Sequence, residues 1–289
     1  MSLFKYVHQD RIDVLERLQI RFTQASSQND LFEFKPVTKG WKPRKEAIRD
    51  LAERLASRFK QADTPEKMLQ MSIAKHPEAE ASFRRTMNMM GDAKWLSYMK
   101  KFGEDNFESE ADRLSTKIQA DWKKYSETIF NTMSSMIGIF SLTEDPKNVV
   151  MWGNYANSSQ GFVIEFDDKH AWFNQKRSED DDFRHLRQVT YLRNPYPQYF
   201  SELTAHDVCY SKLEDWSYEK EWRILQSLVS GIDTGAKDAF GEPIIVFDVP
   251  PDCILTVRVG ARASGSTVVS IESALKSQSL KHVKLSSQF

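Results

Sequence analysis

The sequence predicts an α+β protein, and three observations predict it. From about Trp41 to Met133 apolar residues recur at helical spacing and almost nothing alternates with period two. After Met133 short apolar runs bounded by turn residues take over. Ahead of both lies an opening unit in which an apolar run, a helix start and a second apolar run follow one another closely. Segregated helical and strand textures of this kind indicate α+β rather than alternating α/β architecture. With 289 residues the chain can bury a sizeable core. It is read as a single domain over 1–289, with 40–133 as a helical insertion or lid and 134–289 as a β-rich half.

Taken in order, Leu3 to Val7 is an apolar and aromatic strand around Lys5, and Asp10 stands where an N-cap precedes Ile12, Val14, Leu15 and Leu18. Ile20 and Phe22 suggest a second short strand, and Ser26, Ser27, Asn29 and Asp30 form a turn-rich loop closing on Leu31 and Phe32. Ile48, Leu51, Leu55 and Phe59 mark one helix; Leu114, Ile118, Trp122, Tyr125 and Ile129 mark a longer one. Met87, Met89, Met90 and Met99 accompany them as adaptable core. Strands are then expected at Met136–Leu142, Gly161–Phe166, Gln188–Leu192, Trp222–Leu228, Ile244–Val249 and Ile254–Val259. A late helix over Ser266–Lys276 precedes a terminal strand around Val283, and Glu179–Asp182 reads as a solvated loop.

Composition narrows the function classes. The 40 Lys and Arg nearly cancel the 41 Asp and Glu, so no global field draws the chain to nucleic acid or an anionic membrane. Cys209 and Cys253 are too far apart for a Cys-x-x-Cys site, and a reducing, cytoplasmic home is expected. No stretch reaches the roughly 18 apolar residues of a membrane span. The six histidines form no His-x-x-x-His ladder, so no metal is expected. Gly-x-Gly-x-x-Gly, the Walker pattern and Gly-x-Ser-x-Gly are all absent.

What remains is a dense cluster: Ser141-Leu-Thr143, then Met151-Trp-Gly-Asn-Tyr155-Ala, then Gly161-Phe-Val-Ile-Glu-Phe166. Together with Phe4-Lys-Tyr6, Gln28-Asn-Asp-Leu-Phe-Glu33 and Trp216-Ser-Tyr-Glu-Lys-Glu-Trp-Arg223, it resembles the bacterial family known as domain of unknown function 2971, over roughly residues 3–33 and 136–260. Two departures from that family's pattern are Leu31 in place of a proline and Val7 in place of an arginine.

A second resemblance supplies a chemical idea. Leu3 to Leu15 is similar to the opening of DarT-like ADP-ribosyltransferases, with Lys5 and His8 at the positions of two histidines. Glu219-Lys220-Glu221 resembles the late Glu-x-Glu of many such enzymes. The resemblance implies an ADP-ribosyltransferase-like fold of central antiparallel or mixed β-sheets with a helical insertion, and NAD as cosubstrate. It implies Glu221 as the catalytic carboxylate, stabilising oxocarbenium character as the nicotinamide–ribose bond breaks, with Glu219 orienting an acceptor. Lys5, Tyr6, His8, Ser141, Trp152 and Tyr155 would bind the cofactor, and Asn29, Asp30, Glu33 and Arg223 are further cleft candidates. The acceptor is an unidentified protein or nucleic acid, in a toxin or phage-defence setting.

Bland readings stand beside these. Glu-x-Glu occurs three times, at Glu78/Glu80, Glu108/Glu110 and Glu219/Glu221, and only the strand context singles out the last. Core packing competes for Trp152 and Tyr155, and turn capping for Asn29, Asp30 and Glu33. The alternative function is a ligand-binding or protein-interaction module using the same cleft without chemistry.

Overall fold

The structure, a computed structural model, describes residues 2–28, 34, 38–40, 42, 46, 49, 53, 61–73, 79–177, 181, 183–193 and 198–288, apart from the side chains of 73, 103–108, 110, 111, 114, 201 and 205. The apolar positions Ile48, Leu51, Leu55 and Phe59 of the predicted helix, the loop candidates Asn29, Asp30 and Glu33, and most of Glu179–Asp182 lie outside the described residues. The chain divides into two compact units. One comprises Met1–Thr38, Glu127–Gln198 and Leu203–Phe289, the other Lys39–Ser126 with Tyr199–Glu202.

In the first unit the opening run forms β1 (Ser2–Val7). Its strand is apolar on both faces because both are covered: Leu3 and Val7 join one buried cluster, Phe4 and Tyr6 another. His8, rather than Asp10, takes the cap position, its Nδ1 accepting from Asp10 N ahead of a 3-10 turn at Gln9–Arg11. The helix that follows, α1 (Asp13–Arg17), ends on Leu18 in the left-handed region and delivers β2 (Gln19–Arg21) and β3 (Thr23–Gln24).

The second unit is helical, with α2 (Pro65–Ile73), α3 (Glu80–Met90) and α4 (Asp92–Ala120). Its core gathers Met68, Leu69, Trp95 and Met99, with Met87 and Met90 packed against them, as adaptable methionine packing predicts. Met89 is the exception and faces solvent. The helix expected as one from Leu114 to Ile129 is two, because Asp121 leaves the helical region before α5 (Trp122–Met136) begins.

The first unit resumes at Glu127, within α5, and continues with β4 (Ile137–Thr143), α6 (Val149–Tyr155) and β5 (Phe162–Asp167). Next come β6 (Arg187–Gln188), β7 (Thr190–Leu192), α7 (Ala205–Cys209), β8 (Ser211–Leu213) and β9 (Glu221–Ser227). The chain continues through β10 (Ile232–Lys237), β11 (Pro243–Asp248), β12 (Ile254–Val259), α8 (Gly265–Leu275) and β13 (Lys284–Ser287). The principal sheet has the order β13-β12-β5-β1-β4-β9-β6, with β3 pairing on β4 as an eighth strand. Its pairings are antiparallel except β12 with β13, which are parallel. A three-stranded sheet, β10-β11-β2, and the parallel pair β7-β8 complete the described strands. Mixed sheets with segregated helices make this an α+β protein. Among the described residues no helix is long and apolar enough to cross a membrane.

Candidate functional site

The site begins with a fork in the principal sheet. Glu144 N donates to Lys220 O, so the even-numbered residues of β4 bond to β9 and the odd ones turn to the opposite edge. On that edge β1 pairs at Thr143 through Phe4, and β3 pairs at Ile139 through Thr23. Ser141 lies between the two, where β1 has left β4 and β3 has not yet begun.

A cleft enclosing about 550 Å³, part of it open to solvent, sits at this fork. Its lining includes Lys5 and Tyr6 of β1, Ser141 of β4, Met151 and Tyr155 of α6, and Lys212, Glu219 and Glu221. Strand alternation puts Lys5 on the face of Leu3 and Val7, with its ammonium 5.3 Å from the Phe140 ring centre. From there Nζ donates to the Ser141 carbonyl at 2.9 Å. Tyr6 packs edge-on against Trp152 and donates its hydroxyl to Asp145 O at 2.8 Å. Burial raises that phenol's pKa, and Asp145 adds to the shift.

The two glutamates are positioned by a break in the chain. Glu219 ends a 3-10 turn, Lys220 takes the left-handed conformation with φ 44°, and Glu221 opens β9. Both carboxylates are buried and converge on Lys212, whose Nζ donates to Glu219 at 2.6 Å and to Glu221 at 3.4 Å. Arg223 clamps Glu221 with two parallel bonds, Nε at 2.8 Å and Nη2 at 2.9 Å, and spends Nη1 on Cys209 O. Glu219 also accepts from the Tyr155 hydroxyl. Burial works to raise the Glu221 pKa, but Arg223, Lys212 and the Ser141 hydroxyl overcome it and hold the group down at about 2. Burial likewise pushes Lys5 down to about 8, with Glu221 and Glu219 opposing the shift.

The two acids therefore differ in what they can still accept. A carboxylate has about four lone-pair positions. Arg223, Lys212 and Ser141 take those of Glu221, whereas Glu219 accepts once from Tyr155 and once from Lys212.

Of the sequence candidates, the structure brings Lys5, Tyr6, Ser141, Tyr155, Glu219 and Glu221 to one cleft. Arg223 is fully buried beside Glu221. Trp152 is fully buried, its indole N–H donating to Pro146 O, and it does not line the cleft. His8 caps its turn, and its Nδ1 lies 3.3 Å from Asp10. Lys212 was missed: a lone lysine in a three-residue strand carries no motif, and only the tertiary structure shows that it is buried between two acids.

Residues 151–224 match the family described as protein of unknown function (DUF2971), the family that the motifs resemble. The match takes in α6 from Met151 onward, the Gly161–Phe166 run and the Glu219–Arg223 segment. No curated protein and no solved structure matches the chain.

Proposed function

We propose that this cleft is the active site of an ADP-ribosyltransferase-like enzyme that takes NAD and passes ADP-ribose to a macromolecular acceptor. The observation that carries the reading is the convergence of Lys5, Tyr6, Ser141, Tyr155, Glu219 and Glu221, drawn from distant segments, on one cleft. Breaking the nicotinamide–ribose bond develops positive charge at the ribose, and a fixed carboxylate beside it stabilises that charge. Glu219 is the better placed of the two acids, because it is buried, ionically held by Lys212, and still has acceptor positions to offer the ribose. Glu221, clamped by Arg223, fixes Lys212 and so Glu219. Tyr155 offers its ring to a planar base, and Lys5 supplies charge opposite the acids.

The test is nicotinamide release from NAD by the full chain, with cell extract as the acceptor source. Wild type is expected to release nicotinamide, and Glu219→Gln to lose on the order of a hundredfold or more. Unchanged release in Glu219→Gln sinks the assignment of that acid. A second reading, binding without chemistry, is favoured by the near-saturation of Glu221. NAD-induced thermal stabilisation without release would select it.

A further inference from the structure

Both acids depend on a short stretch of chain in an unfavourable conformation. Lys220 takes φ 44° and ψ 52°, a left-handed geometry that disfavours any residue with a Cβ and persists only where its surroundings over-determine it. Here they do. Tyr218 O accepts from Asn148 Nδ2 at 2.9 Å, Glu219 O from the Thr143 hydroxyl at 2.6 Å, and Lys220 O from Glu144 N at 3.3 Å. Glu221 N then donates to the Tyr191 hydroxyl at 2.8 Å. Four consecutive residues are tied in turn, three of them by side chains from other segments.

The two acids differ in how the sheet holds them. Glu221 lies inside β9, in register with Thr143 of β4, and its carbonyl accepts from Val189 N at 2.9 Å. Glu219 stands ahead of the strand, and its carbonyl is tied to β4 by the Thr143 hydroxyl. That side chain is 1 % exposed, and its hydroxyl is itself oriented. The oxygen accepts from Asp145 N at 3.0 Å, which leaves the single hydrogen directed at Glu219 O. Thr143 closes the Ser141-Leu-Thr143 motif, yet it does not line the cleft.

We propose that Thr143 is a positioning residue for Glu219. Holding the carbonyl fixes where the Glu219 side chain leaves the main chain. Its carboxylate is thereby aimed at Lys212, which donates at 2.6 Å, at the Tyr155 hydroxyl, and at the cleft that both of them line. A carboxylate that stabilises developing charge has to be in place before the charge appears, and a displacement of about 1 Å lowers the rate by roughly two orders of magnitude. The role deepens the transferase reading and rests on it for turnover alone.

Two variants of the full chain test this. Thr143→Val keeps the shape of the side chain and removes the hydroxyl, whereas Thr143→Ser keeps the hydroxyl and removes the methyl. In nicotinamide release from NAD, Thr143→Val is expected to lower kcat at least about tenfold with a smaller change in KM, and Thr143→Ser to stay within about threefold of wild type. Lys212 supplies a second measurement that needs no catalysis. In ¹⁵N-labelled protein its ammonium hydrogens, buried and bonded to Glu219, should exchange with water at least about tenfold faster in Thr143→Val, with the amides of β5 unchanged and with slow exchange restored in Thr143→Ser. Turnover in Thr143→Val equal to wild type, Thr143→Ser as slow as Thr143→Val, or Lys212 exchange unmoved by loss of the hydroxyl each overturns the positioning role. So does faster exchange of β5 together with Lys212, because the hydroxyl then holds the fold and not the acid. If wild type releases no nicotinamide, the transferase falls, and the Lys212 measurement alone decides for or against Thr143.

Discussion

Replacing Glu221 takes the bidentate carboxylate from buried Arg223 and the more distant of two carboxylates from Lys212, which keeps Glu219. Glu221→Ala is expected to cost about 3–5 kcal/mol in urea unfolding, the range for leaving one side of a buried ion pair uncompensated. The same clamp gives a pH signature. The folded-state pKa of Glu221 lies below its ordinary value of 4.5, so its contribution is fully present above that value and is lost as pH falls toward about 2. Stability of the wild type should decline through that window, and the decline should shrink in Glu221→Gln. Lys5 works in the opposite part of the scale. Burial, Arg11 and Lys212 lower its pKa while Glu221 and Glu219 raise it, and the balance near 8 means that wild-type stability should gain from this group as pH rises from about 8 toward its ordinary value of 10.5, a gain that Lys5→Met should lack in urea unfolding. Residue types announced part of this site. Paired acids, a strand serine and aromatic residues are legible because their chemistry is distinctive. Lys212 is not, because a lysine that is buried and one that is solvated are the same letter until strands from other segments close over it. Trp152 and Tyr155 lie three apart on one short helix, and only packing decides that the first enters the core while the second lines the cleft.

At the scale of elements, α6 is terminated by three successive left-handed residues, Asn157, Ser158 and Ser159. None is glycine, so the turn carries strain on the order of 1–2 kcal/mol per residue. The turn is held by Ser158 N to Gly153 O, Ser159 N to Trp152 O and Arg262 N to Ser159 O. Ser158→Gly should therefore raise stability by up to about 1 kcal/mol, read as a higher Tm. Gly161 closes the same turn against β1, where an added Cβ would lie 2.1 Å from the Val7 carbonyl oxygen. Gly161→Ala is expected to destabilise by at least about 1–3 kcal/mol in the same measurement. Strands were legible where burial makes them apolar: β12 runs over Ile254–Val259 as its sequence indicates. β10 escaped notice because all of its residues are exposed and its composition is that of a loop. Short helices such as α6 and α7 span too few residues for a 3.6-residue period to register.

At the scale of the molecule, strand order was the least legible property. Two textures are enough for α+β, but nothing in the sequence states that β1 joins β5 to β4 or that it parts from β4 beyond Phe4. Those pairings are set by contacts between residues far apart in sequence, and such contacts leave no periodicity. Because β1 lies inside the sheet, deleting residues 2–7 is expected to abolish cooperative unfolding, as followed by circular dichroism against urea, instead of merely lowering its midpoint.

The placement of β1 also has a consequence in time. Phe4 leaves the ribosome 139 residues before its partner Thr143, and Leu3 waits longer still for Phe166. At about 5–20 residues per second, translation leaves this apolar ribbon without its neighbours for about 7–28 s. Throughout that interval it is a docking target for chaperones and for other nascent copies, so the yield of native protein should depend on elongation speed between the codons for Val7 and Ile137.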